Sequence, residues 1–153
     1  MSVLDSIVEA WFTKAIGIYP EPVRDGLMQA IKTPDRFRNP VACGLRESLE
    51  VLASEVAGDM DPNAIIAAMD GIIRIRAVQQ CSQDEAIAFA PQLGDVIREQ
   101  RAEALFPHSE QRVRRLADYA RQQYAACRKD VARIRQRQEW RLQALEPWML
   151  EAQ

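Results

Sequence analysis

The side chains able to do acid-base, nucleophilic or metal chemistry are few and scattered in this sequence of 153 residues. His108 is the single histidine, set between Pro107 and the polar pair Ser109 and Glu110. A lone histidine in a helical chain could be the axial ligand of a haem, which makes His108 a weak candidate for cofactor binding. Its polar neighbours fit a solvated or capping histidine better. Cys43, Cys81 and Cys127 are odd in number, far apart and in apolar surroundings, the pattern of reduced thiols used as small core residues. With one histidine they offer no close ligand spacing for a structural zinc. Glu47, Glu50 and Glu55 could share a helical side, but no Glu-x-x-His accompanies them as a di-iron bundle requires, so they read as a solvated face. The sequence holds no glycine-rich phosphate loop, no nucleophile elbow and no His-Glu-x-x-His helix. With so little histidine to move protons, no catalytic residue, no metal site and no cofactor is expected, and the chain is read as a non-enzyme.

The elements that carry these residues are helical throughout. Hydrophobic residues make up 48% and charged residues 27%, a globular mixture long enough to bury a core without disulfides or metal. No apolar run approaches the ~20 residues of a membrane span, so no membrane insertion is expected. The first residues lack a secretory signal, and the expected location is cytoplasmic. Val3, Leu4, Ile7, Val8, Trp11 and Phe12 recur at helical spacing and predict a first helix from near Ser2 to before Pro20, with Gly17 loosening its last turn. Pro22 opens a second, short helix that Pro34 terminates. Asn39 and Pro40 form a cap-plus-proline start for a third helix, which Gly58 ends in a left-handed turn. Asp61 and Pro62 repeat the device for a fourth. Ser82 and Glu85 fit a capping box for a fifth, bent or restarted at Pro91 and closed near Phe106 and Pro107. Ser109 caps the last and longest helix, expected over about 109–145. The whole is an all-α single domain of about six helices.

Val113, Ala117, Ala120, Tyr124, Cys127, Val131 and Ile134 alternate in steps of four and three along this last helix, the seam of a coiled coil. Gln138 and Arg141 interrupt the seam before Leu145 and Trp148 resume it. Such a helix either packs lengthwise on the body or projects to pair with a second copy. Tyr124, Val131, Ile134, Trp140 and Trp148 are therefore the interface candidates, the tryptophans because large aromatics on a terminal helix anchor protein contacts. From Ser109 to Arg141 the charge is +6, against −8 for the remainder. Glu110, Asp118, Asp130 and Glu139 interleave with the arginines and the body is acidic, so nucleic-acid binding is not expected.

Two further stretches stand out, Asp35-Arg36-Phe37-Arg38-Asn39-Pro40-Val41 and Ile72-Ile73-Arg74-Ile75-Arg76-Ala77-Val78-Gln79. Both read as packing and registration elements. Arg74 and Arg76, two apart, diverge by about 200° around a helix, and one of them is expected to pair with an acidic group of the turn from Asp35 to Asn39. Together with Leu45-Arg46-Glu47 and Ser82-Gln83-Asp84-Glu85-Ala86-Ile87-Ala88-Phe89, the stretches resemble the RsbRD amino-terminal domain family, the sensory half of RsbT co-antagonist proteins in bacterial stress-signalling complexes. The resemblance is firmest over 35–98, and its motif residues here are Asp35, Phe37, Asn39, Pro40, Arg74, Arg76 and Gln79. It implies a helical, globin-related input domain with no required haem, often a homodimer, joined by a long helix to an output domain. The sequence ends at Gln153 with no room for that domain, which leaves a free-standing member or a fragment of a larger protein; the free-standing form, a regulatory or adaptor domain with a protein partner, is the expectation. The alternatives are a small-ligand or haem-binding sensor, or an accessory protein of a sulfur-metabolism redox complex in anaerobic bacteria.

Overall fold

The computed structural model describes the backbone of residues 2–33, 35 and 37–151 and the side chains of these as far as residue 145. It contains seven α-helices and one 3₁₀ turn among the described residues: α1 (Val3–Ala15), the turn Ile16–Ile18, α2 (Glu21–Lys32), α3 (Pro40–Ala57), α4 (Pro62–Val78), α5 (Gln83–Ile87), α6 (Phe89–Glu99) and α7 (Ser109–Glu151). The fold is all-α with a long last helix. Five helices pack in a closed circuit, α1 on α3, α3 on α4, α4 on α7, α7 on α6 and α6 back on α1. Helix α2 lies outside the circuit against α3, and the short α5 sits on α7 and α4.

The circuit closes because each helix turns an apolar stripe inward. Ile7, Trp11 and Phe12 of α1, Leu49, Leu52 and Val56 of α3, Ile65, Met69 and Ile73 of α4, Phe89, Leu93 and Val96 of α6 and Leu116 and Ala120 of α7 are fully buried. Each large side chain among them contributes about 1.5–3 kcal/mol by leaving water. The Trp11 indole also donates to the Phe89 carbonyl at 2.7 Å, and the two rings pack with centroids 6.3 Å apart, fastening α1 to the start of α6.

The helix starts follow the expected chemistry in most places. Ser2 and Asp5 form a capping box on α1, as Ser82 and Glu85 do on α5, and the Asp61 carboxylate accepts from the Asn63 amide ahead of α4. Pro91 has no N–H for the carbonyl of Ile87, and the helix breaks at Ala88 and restarts as α6. Asn39 differs: α3 begins after it at Pro40, but its side chain makes no capping bond. The turn before it is held by Asp35, whose Oδ1 accepts from the amides of Phe37 (2.9 Å) and Arg38 (3.4 Å) and whose carbonyl accepts from the Asn39 amide (2.8 Å).

The helix ends depart further from expectation. Gly58 has φ −116°, and the left-handed residue after α3 is Met60, φ 52°. Helix α6 stops at Glu99, well before Phe106, with Arg101 left-handed at φ 51°. Cys81 and Ala102 donate to the carbonyls five residues back, Arg76 and Ile97, so α4 and α6 both end in the looped-back motif that glycine usually occupies, with Gln80 and Arg101 in glycine's place. Ser109 is the first residue of α7 and not its cap; His108 precedes it at φ 56°.

Candidate interaction surface

Helix α7 is built in two halves with different surroundings. In the first, Val113, Leu116, Ala120, Tyr124 and Cys127 are buried against the body, with Ala117 half-buried beside them. Leu116, fully buried, is off the expected four-three seam, and this half winds like an ordinary helix of 3.6 residues per turn. Polar contacts fix its position. Arg112 donates from Nη1 to the carbonyls of Val56 (2.8 Å) and Gly58 (2.7 Å), satisfying the open end of α3. The Tyr124 hydroxyl donates to the Cys81 carbonyl at 2.9 Å. Gln123 donates to Asp70 at 2.8 Å, and Asp70 also accepts from Arg74 on its own helix at 3.1 Å.

Beyond that anchorage the helix leaves the body. Val131 is half-buried, and every residue from 132 to 145 is exposed. Ile134 is 53% exposed, Leu142 61% and Leu145 52%, high values for large apolar side chains on a soluble surface. At about 100° per residue, Val113, Leu116, Ala120, Tyr124, Cys127, Val131, Ile134, Leu142 and Leu145 all fall within an arc of about 80°. The stripe that packs on α4 and α6 therefore continues along the projecting half, without a partner among the described residues. Gln138 lies at its centre and Arg141 at its edge. Trp140, 64% exposed, is turned about 200° from the stripe's centre, so it is not part of the same face. The side chain of Trp148 lies outside those described. Arg133, Arg135, Arg137 and Arg141 make no hydrogen bond or ion pair among the described residues, whereas Arg114 and Arg121 of the anchored half pair with Glu110 and Asp118.

The other expected residues serve the scaffold. Neither arginine of the α4 motif pairs with the turn at Asp35. Arg74 pairs with Asp70, and Arg76 is 2% exposed with its guanidinium turned inward. Arg76 Nη2 donates to the Ala15 carbonyl at 2.8 Å, and Nη1 to those of Glu85 (3.4 Å) and Ala86 (3.3 Å). The guanidinium also lies 5.5 Å from the centre of the Phe89 ring. Burial lowers its pKa from the ordinary arginine value, while the adjoining Tyr19 hydroxyl opposes the shift. The negative ends of α1 and α5 meet at this cation, so a charge without a carboxylate partner is held by two helix termini. Gln79 completes the cluster by accepting from the Tyr19 hydroxyl at 2.9 Å. Phe37, expected to pack, is 99% exposed.

His108 is exposed on the surface turn before α7. The interior space beside Arg76, between Tyr19, Leu45 and Ile72, is about 20 Å³, room for one water. An open cleft of about 640 Å³ separates α2 from α1 and is lined by both signs of charge, Glu9, Lys32 and Arg46, and a groove of about 590 Å³ runs between the exposed sides of α3 and α4 past Gly44, Val51, Ala67 and Ile75. All three cysteines are free thiols, and burial pushes those of Cys81 and Cys127 up, away from the reactive thiolate. Among the described residues no three His, Cys, Asp or Glu side chains gather to hold a metal ion, and no helix is long and apolar enough to cross a membrane. Comparison of the chain with family models, curated proteins and solved structures finds no match.

Proposed function

We propose that this chain is a non-enzymatic regulatory or adaptor domain that works through protein contact, pairing with a second copy of itself through the projecting half of α7. The observation that carries this reading is the continuation of one apolar stripe from buried Cys127 through exposed Ile134, Leu142 and Leu145. An uncovered stripe of this kind on a helix that has left its own core costs free energy until a partner covers it. The resemblance of residues 35–98 to the RsbRD amino-terminal domains supports the same reading, because there too a helical body with a long last helix acts in signalling. Stress-type bacterial signalling is the setting it favours.

The test is a chain shortened after Val131, which keeps Tyr124 and Cys127 in the core and, among the described side chains, removes only exposed ones. Light scattering should give a dimer for the full chain and a monomer for the shortened one, with the helical circular dichroism of the body retained. A shortened chain that is still dimeric moves the contact elsewhere.

A further inference from the structure

We infer that the two copies pair their projecting helices antiparallel, with Ile134 of each opposite Leu145 of the other and Gln138 opposite Arg141. This inference rests on the pairing proposed above and gives it a direction and a register.

The argument starts from the two polar interruptions of the stripe. In the seven-residue frame that places Val131, Gln138 and Leu145 at the first core position, Ile134 and Arg141 occupy the second. A parallel pair in register places each core residue against its own copy, so Arg141 meets Arg141 in the contact with no carboxylate between them. An antiparallel pair places first positions against second positions. Sliding the helices so that Gln138 faces Arg141 puts an amide oxygen, an acceptor, against a guanidinium, a donor. The same slide brings Ile134 against Leu145, so the apolar residues meet apolar residues on both sides of the polar layer.

The flanks agree with this register. Arg135 and Arg137 border the stripe, and in the antiparallel pair they face the second copy's Leu142 and Ala144, so no arginine opposes another. Each also lays an aliphatic stem along its neighbour while its head stays in water. The bodies agree as well. Residues 1–131 hold 16 Lys and Arg against 19 Asp and Glu, so both bodies are acidic. Parallel pairing sets them side by side at one end, whereas antiparallel pairing sets these two like-charged bodies at opposite ends of the rod. The centre of the pair falls between residues 139 and 140, about 13 Å along the helix from Val131. The dimer is then a short rod with a body at each end, a shape suited to bridging two partners.

Cysteine cross-linking of the full chain tests the register, in a Cys81→Ser background so that Cys43 and Cys127, both buried, are the remaining native thiols. Ile134→Cys and Leu145→Cys are prepared separately, checked for dimers by light scattering before oxidation, then oxidised alone and as an equimolar mixture. The expected result is a covalent dimer in the mixture at several times its yield in either variant alone. Efficient linking of each variant with itself shows parallel pairing and overturns the inference. Dimers by scattering with no covalent product in any tube overturn the register. A full chain of native sequence that is monomeric by scattering overturns the pairing on which both rest.

Discussion

Arg76 is the residue on which most of the internal polar architecture converges. It is a buried cation answered by the carbonyls of Ala15, Glu85 and Ala86 and by the Phe89 ring, and so it ties α4 to the ends of α1 and α5. Arg76→Ala leaves those carbonyls without a donor and opens a space in the core. The expected cost is about 3–5 kcal/mol, a fall in melting temperature of about 10 °C or more for a chain of this size. Arg74→Ala removes one exposed pair with Asp70, and its melting temperature should stay close to that of the native chain. Thermal melts of the two variants decide the matter, and equal losses would contradict this division of labour. The sequence shows why only half of this could be read ahead of the structure. Two arginines two residues apart must point in different directions, so one of them had to face inward or sideways. Which one, and that its partners are backbone carbonyls and not carboxylates of the Asp35 turn, depends on where α1 and α5 end in space.

At the scale of elements, starts were more legible than ends, although the stop of α2 before Pro34 was legible too. A helix start is written in side chains: Ser82 with Glu85, Asp61 before Pro62, Pro40 and Pro22 at first turns. The ends of α4 and α6 are written in backbone angles that Gln80 and Arg101 adopt without the glycine that would advertise them. The capping box of α5 carries a pH prediction. The Glu85 carboxylate is held below the ordinary carboxylate range by the Ser82 amide and then by its hydroxyl. A depressed pKa in the folded state means that its contribution is present above the unfolded value and is lost as pH falls through the folded one. Between about pH 5 and pH 3, then, the stability difference between the native chain and Glu85→Gln should shrink, as read from melting temperatures across that range. Ser82→Ala should cost about 1 kcal/mol at neutral pH. A difference between native and Glu85→Gln that is constant with pH would argue that the carboxylate bond does not form.

The whole molecule is a closed circuit of helices with one helix that outgrows it. The stripe on α7 was visible as a periodicity in the sequence, but where it stops being core was not. Cys127 and Ile134 are apolar residues on the same face, and only the body's dimensions separate the buried one from the exposed one. In the pairing proposed above, a second copy covers the exposed part. Light scattering of the full chain beside the double variant Ile134→Asp/Leu145→Asp tests that claim most directly, because both side chains are exposed and their loss spares the core. The predicted result is a dimer for the native chain and a monomer for the variant, with melting temperatures of the body within a few degrees of each other. A native chain that is monomeric, or a variant that remains dimeric, would contradict it.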